Sequence, residues 1–471
     1  MTHHPLIALA LSAFCAASAH AQTAALDFSQ ARRLAHDRVD AIKMEAAETA
    51  QRQSAAKSAR SLHGPKISLD AKQIWGRKTL DLGTVNVGQL AGSLLPGNVV
   101  SGNQQIAQII GAMKPIDLYY EDDIGGPRAA ITAELPLYMG GAINAKVRAA
   151  DEAVIESQAK TQAKRDTIDT ELVQKYFAVQ LARSVERLRQ DMLEQQEFEV
   201  TKALRFEKAG TISKLERMAV QVNRDTAKRE LLDAQTNRRV AESELAGLLR
   251  EERVGELTNP LFVVTDDIGS LKSWQDKALG LSPVLKGVQA VRRQAEQGVT
   301  AAKAAWHPQV YAFGEYNLIK HYLTIPEPDW IAGVGIKFTL WDNKDRNASI
   351  AAANSLVNKA QAAHDEASNR LMTAIETAYL KSSRERESYR LTESTLALAQ
   401  ENLRLREKSF AEGLSTADDV NDARNKLLAA QIARRVAAYR FVVAWAMLNA
   451  ASGDMNAFEE SVTRQTNLFE R

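Results

Sequence analysis

The sequence predicts a mainly α-helical chain with a transmembrane β part, built as two repeats of a very long helical hairpin joined to a pair of strands. Three observations carry that prediction. Landmarks recur twice in the same order, two helical runs extend far beyond the size of a compact domain, and the strand candidates alternate apolar and polar residues with aromatics near their ends.

The repeat comes first. An Ala-rich helix runs into a proline and a strand at Ala55-Ala56…Gly64-Pro65-Lys66-Ile67-Ser68-Leu69, and again at Ala301-Ala302-Lys303-Ala304-Ala305-Trp306-His307-Pro308-Gln309-Val310. A strand end opening into a helix appears as Pro136-Leu137-Tyr138-Met139-Gly140-Gly141 and as Thr339-Leu340-Trp341-Asp342-Asn343. An aromatic followed by a glycine then breaks that helix, at Phe206…Gly210 and at Phe410…Gly413. Tyr138 to Phe206 spans nearly the same distance as Trp341 to Phe410, which marks a duplication.

The long helices run from about 142 to 206 and from about 344 to 410, each on the order of 100 Å. Tyr389, Leu396, Leu403 and Phe410 form one heptad row, and Leu391, Leu398 and Leu405 form another. Rows two residues apart lie on nearly opposite sides, so this helix needs a neighbour on each side. Leu181, Val185, Leu188 and Met192 instead make a single amphipathic stripe.

Strands are expected at about 66–76, 129–138, 308–319 and 330–341. Ile67, Leu69, Ala71 and Trp75 alternate with Ser68, Asp70 and Lys72, and Ala332, Val334, Ile336, Phe338 and Leu340 alternate with Gly333, Gly335, Lys337 and Thr339. The run from Val310 to Leu318 alternates less cleanly, because Tyr311 and Phe313 fall on the face of Glu315. Strands of this length with one apolar face suit a transmembrane barrel with a wet lumen, and Trp75, Tyr138, Trp330 and Trp341 sit where interface aromatics fall. Four strands are too few for such a barrel, so several chains must each contribute a sheet. A soluble half-buried sheet shows the same alternation.

The chain divides into a leader at 1–21, a first repeat at 22–250 with its helical hairpin at 142–250, a connector at 251–270 and a second repeat at 271–452 with its hairpin at 344–452. A polar tail at 453–471 is expected to be disordered. The stretch 80–128 reads as a polar, Gly-rich loop, and the connector holds a strand candidate at Leu261 to Val264.

Composition excludes several classes. With 60 basic and 58 acidic residues the net charge is +2, which gives no footprint for nucleic acid. Mean hydropathy is −0.29, and outside the leader no apolar run reaches the length of a transmembrane helix. Any span must therefore be a β-barrel. The leader has an apolar run from Leu6 to Ala17 and a small-x-small site at Ala19-His20-Ala21, although its first residues carry His3 and His4 rather than Lys or Arg. Cys15, the only cysteine, lies inside it, and bulky Phe14 disfavours lipidation there. The mature chain then has no disulfide or thiolate site. His-Glu-x-x-His, Gly-x-Ser-x-Gly and phosphate-loop motifs are absent, the histidines show no ligand spacing, and neither an enzymatic activity nor a cofactor is expected.

Two strand pairs alternating with long interrupted helices resemble the TolC-type outer-membrane factors over nearly the whole mature chain. The most specific stretch is Phe410-Ala411-Glu412-Gly413-Leu414-Ser415-Thr416-Ala417-Asp418-Asp419-Val420-Asn421-Asp422-Ala423, where Asp419, Val420 and Ala423 match the family's Asp-Val-x-x-Ala. The first break is similar, but its Gly210-to-Ala219 spacing is one residue shorter and Glu216 stands where an Asp is common. The resemblance implies a homotrimer in the Gram-negative outer membrane, with four strands per chain closing a twelve-stranded barrel continuous with a periplasmic α-helical barrel. It implies contact with outer-membrane lipid, a periplasmic adaptor (membrane fusion) protein, and an inner-membrane pump or ABC transporter. The function implied is an exit duct of a tripartite efflux pump or type I secretion system. The competing reading is a soluble periplasmic coiled-coil adaptor or scaffold.

By the same resemblance, Asp419 and Asp422, with Asp418 and Glu216, are candidates for a periplasmic aperture. Carboxylates converging in a narrow opening attract cations. Helix capping competes with that role: Ser415 or Thr416 is a suitable N-cap, and Asp418 is expected mainly as the capping acid. Gly210 and Gly413, with Thr211, Leu414 and Ser415, are candidates for hairpin turns and adaptor docking.

Overall fold

The structure, a computed structural model, describes residues 25–323, 327–464 and 468–470. The expected leader with Cys15 lies outside the described residues, as does Pro326 of the second strand loop. The first half of the chain contains α1 (Phe28–Arg38), α2 (Asp40–Arg60), β1 (Lys66–Val85), α3 (Val87–Leu94), α4 (Gly97–Gly102), α5 (Gln104–Ala112), β2 (Ile116–Met139), α6 (Ala142–Lys208) and α7 (Lys214–Leu249). The second contains β3 (Leu261–Val263), α8 (Leu271–Leu281), α9 (Pro283–Lys303), β4 (Gln309–Asn317), β5 (Trp330–Lys337), α10 (Arg346–Ala411), α11 (Ala417–Ser452), α12 (Met455–Val462) and β6 (Leu468–Glu470).

The described residues form two units, a helical one (within 1–55, 149–295 and 355–471) and one holding the large sheet (within 56–148 and 296–354). The 67 residues of α6 and the 66 of α10 contain no Gly or Pro, so nothing in the backbone interrupts either helix. Each runs on the order of 100 Å.

In the helical unit an aromatic core gathers the short elements. Phe28 of α1 packs edge-on to Tyr176 of α6 and Phe458 of α12, at ring separations of 5.6 and 5.5 Å, and Phe177 meets Phe262 of β3 at 5.8 Å. Trp274 of α8 stands edge-on to Trp445 of α11 at 5.5 Å, and both indoles donate hydrogen bonds, to the Ile268 carbonyl and the Ser461 hydroxyl. Buried rings with satisfied polar tips supply apolar area and orientation together. The tail expected to be disordered is part of this core. Met455, Phe458 and Val462 are buried, Asp454 caps α12, and β6 pairs with β3. Three apolar residues spaced by three and four make a helical face that overrides the polar average of the segment.

In the other unit four antiparallel strands are ordered β1-β2-β4-β5. Two strand expectations need correction. The first hairpin continues past residue 76 to Val85, returns from Ile116, and carries three helices where a loop was expected. Its upper part pairs through polar cross-strand partners, such as Arg77 opposite Asp123, whose match is invisible along one strand alone. The last strand ends at Lys337, so Trp341 lies beyond it.

One sheet face is apolar: Ile67 and Leu69 on β1, Ile131 and Leu137 on β2, and Trp330, Val334 and Ile336 on β5 are all exposed in the single chain. The opposite face carries Ser68, Asp70 and Thr132, joined by hydroxyl hydrogen bonds, together with Glu134, Glu315 and Lys337. Tyr311 and Phe313, which break the alternation of β4, lie across Gly335 and Gly333 of β5. A Cβ at Gly335 would sit 2.6 Å from the Tyr311 ring, and one at Gly333 would sit 3.3 Å from Phe313. The two glycines are beds for aromatic rings rather than a bare row of small residues.

Candidate functional site

The residues singled out in the sequence fall at the two helical turns and along the sheet. At the first turn α6 ends at Lys208, and Gly210 takes a left-handed φ of 75°. The Gly210 N–H donates to the Glu207 carbonyl (2.9 Å), and the Thr211 N–H donates to that of Phe206 (2.9 Å). At the second turn Gly413 has φ 76°, its N–H donates to the Phe410 carbonyl (3.0 Å), and the Leu414 N–H donates to Ser409 (2.8 Å). Both are Schellman closures, which require an αL residue that glycine adopts without strain.

Three residues after each glycine the next helix begins with a capping box. Ser213 and Glu216 exchange bonds at 3.2 and 2.6 Å, and Thr416 and Asp419 at 3.2 and 2.9 Å. The two turns are therefore equivalent residue by residue. The equivalence is set by the glycines and not by the aromatics, which puts Phe206 opposite Ser409 and Phe410 opposite Glu207. The one-residue difference in spacing affects only positions beyond the capping box, so that Ala219 stands where the second turn has Asp422.

The acidic candidates separate by geometry. Asp419 and Glu216 are the capping acids, and the backbone N–H bonds from Thr416 and Ser213 hold their carboxyls below the usual carboxylate range. Capping was expected to fall mainly to Asp418. It falls to Asp419 because the N-cap is Thr416 rather than Ser415, and the box acid must stand three residues on. Asp418 is exposed in the first turn, and the Ser415 hydroxyl donates to the Arg406 carbonyl at 3.4 Å. Asp422 is exposed and paired with Lys426 at 2.6 Å. Arg406 lies 3.9 Å from Asp419, so cations temper the carboxylates on this turn. Leu414, 77% exposed, is the most prominent apolar residue of the second turn.

Sequence reasoning missed Arg424. Its guanidinium reaches Glu199 on α6 and Glu407 on α10, and beside it the Gln196 amide donates to Asn421 at 2.7 Å. An arginine among many charged residues carries no local signal of this role; only the approach of three helices reveals it.

Among the aromatic candidates, Trp75 and Trp330 lie toward the strand loops, and Tyr138 and Trp341 toward α6 and α10. All four are exposed, from 46% for Tyr138 to 87% for Trp341. From Ile67 to Trp75 the strand covers about 26 Å, the height of the apolar band of an outer-membrane barrel. Among the described residues no helix is apolar enough to cross a membrane, and no cluster of His, Cys, Asp and Glu could hold a metal ion.

The outer membrane efflux protein family matches residues 31–249 and 274–454. The fold is similar to the outer membrane protein VceC of Vibrio cholerae (TM-score 0.67, 16% identity, 91% of this chain and 96% of that one). It is similar also to the CmeC channel of Campylobacter jejuni (TM-score 0.67, 14% identity, 93% and 89%) and to the open state of the Neisseria gonorrhoeae MtrE channel (TM-score 0.66, 19% identity, 91% and 89%). No curated protein sequence matches significantly. With its two repeats, long interrupted helices and apolar-faced sheet, the chain belongs to the outer membrane efflux protein family, as a channel protein of the Gram-negative outer membrane and not an enzyme.

Proposed function

We propose that the protein is the homotrimeric exit duct of a tripartite efflux pump or type I secretion system, receiving cargo from a periplasmic adaptor and an inner-membrane pump or ABC transporter. The observation that carries this reading is the open sheet. Among the described residues β1 and β5 each pair on one side only, while the face they share exposes Ile67, Leu69, Val334 and Ile336. Unpaired edges are not tolerated in hydrocarbon, so lipid contact requires closure by further copies. Three copies give twelve strands.

The helical unit supports the same assembly. Of the two heptad rows on α10, Tyr389 is buried within the chain, but Leu391, Leu398 and Leu405 are 63, 69 and 49% exposed. On α7, Leu215, Met218 and Val222 form a second exposed stripe. One stripe of each kind per chain suits a head-to-tail ring, in which α10 of one copy lies against α7 of the next. The turns at Gly210 and Gly413, with Thr211, Leu414 and Ser415, would then meet the adaptor, and Asp419, Asp422, Asp418 and Glu216 would surround the aperture.

The test is membrane fractionation of the full chain followed by native mass spectrometry in detergent. A trimer from the outer-membrane fraction that Leu398→Glu converts to monomer is expected. A soluble periplasmic monomer would overturn the duct and favour the adaptor reading.

A further inference from the structure

The first hairpin continues beyond the point where its membrane-facing character stops. Past Trp75 the apolar face turns charged, with Arg77 paired to Glu121 at 2.8 Å and to Asp123 at 2.9 Å. β4 pairs with β2 only from Ala130 onward, so residues 76–85 and 116–125 form a two-stranded ribbon of roughly 30 Å standing clear of the sheet. Such a ribbon is marginal by itself.

On its end sit α3, α4 and α5. From Leu82 to Met113 there is no charged residue, in a chain that is 25% charged. The three helices are folded together: a Cβ at Gly88 would meet the Ile110 carbonyl at 2.7 Å, and Asn103 caps α5. Yet none of the described side chains from Val85 to Met113 is buried, and Leu94, Ile109 and Leu90 are 77, 59 and 53% exposed. With none of its described side chains buried, the helical cluster has no core among them, and its apolar surface needs another one to cover it.

We propose that the three tips of the trimer pack against one another over the barrel axis, as an apolar cap above the exit. This rests on the trimeric barrel proposed above. Joining β1 of each copy to β5 of the next sets the three first hairpins on one ring. For twelve strands spaced about 4.8 Å and tilted about 40°, neighbouring hairpins stand on the order of 20 Å apart. Helices about 10–12 Å across close that gap by leaning inward. The absence of charge removes repulsion at the axis, and the lack of Lys and Arg disfavours an anionic lipid surface as the partner.

The single cysteine at position 15 makes the test direct. In a Cys15→Ser background, Leu94→Cys and Ile109→Cys are made separately, with Thr79→Cys on the ribbon's charged face as control. Each is purified in detergent, its stoichiometry read by native mass spectrometry, and treated with a short bismaleimide. The expected result is covalent dimers from both tip variants, engaging up to two of every three chains because each chain has one thiol, and none from the control. Trimers whose tip cysteines yield only monomers would overturn the cap, and cross-linked hexamers would assign the tips to contacts between channels. Failure to find any trimer would instead overturn the assembly on which the inference rests.

Discussion

Arg424 and Glu199 are joined at 3.0 Å, an ion pair that ties α11 of the second helical hairpin to α6 of the first. The same guanidinium holds Glu407 at 3.1 Å, and it is only 17% exposed. Removing it leaves Glu407 without this partner and Glu199 with only Lys202, at 3.4 Å, both partly shielded from water. Arg424→Ala is therefore expected to cost about 1–2 kcal/mol, at the lower end for a pair that is not fully buried. If the turns line the channel entrance, the variant should also show larger and noisier single-channel currents in planar bilayers. Unchanged currents would confine Arg424 to stability.

Aperture and capping roles can be separated at the second turn. Asp422 takes no part in the capping box and pairs only with Lys426 among the contacts described, so Asp422→Asn should reduce cation preference in bilayers and leave thermal stability unchanged. Ser213→Ala and Thr416→Ala remove the N-caps and should each cost about 1 kcal/mol without altering selectivity. The cap bonds of Glu216 and Asp419 stabilise the fold above the unfolded carboxylate pKa, and that support is lost as pH falls through their lowered folded values. An Asp422→Asn channel with wild-type reversal potentials would remove this residue from the aperture.

Asp166 predicts a pH response of the opposite sign. Burial first, and then the charge of Asp169, push its carboxyl up to about 6, against the favourable bond from Gln162, and its second oxygen has no partner. Asp169 itself is fully buried but held by Arg32 at 2.8 Å and His36 at 2.6 Å. A raised carboxyl penalises the native state above pH 6, and the penalty fades as pH falls toward the unfolded value. Asp166→Asn should therefore raise stability by about 1–3 kcal/mol near pH 7.5 and change little near pH 4. Melting followed across that range by scanning fluorimetry checks it, and an equal shift at every pH would contradict it.

Gly335→Val places side-chain atoms where the Tyr311 ring now lies, since even a Cβ would come within 2.6 Å. The ring must leave the β5 surface, so this variant is expected to lose about 1–3 kcal/mol. Gly335→Val combined with Tyr311→Ala should recover part of that loss. Heat-modifiable migration of the detergent-solubilised assembly on gels reports both.

The long helices, the two strand pairs and both breaks were legible because each depends on local signals: periodicity, uninterrupted helix-forming runs, and a glycine before a Ser/Thr cap. What escaped depends on partners distant in sequence. The ribbon past Trp75 reads as loop along either strand and becomes a hairpin only when Arg77 finds Asp123 and Thr84 finds Asp117. The tail reads as polar until Phe458 meets Phe28, 430 positions earlier in the sequence. At the turns the aromatics suggested one alignment and the glycines another. Glycine prevailed because φ near +75° is a strict backbone requirement, whereas Phe206 and Phe410 are both about half exposed and little constrained.

The equivalence of the two turns reaches beyond one chain. In the trimer proposed above, three copies would present six turns of one backbone geometry, so the rim of turns would have nearly twice the rotational symmetry of the trimer itself. A ring of six identical partner molecules seated on such a rim would meet one backbone geometry but two alternating sets of side chains. Where the side chains differ, as at Asp422 against Ala219, Asp418 against Leu215 and Leu414 against Thr211, alternate seats would carry different charge and apolar surface and hold their occupants with unequal strength.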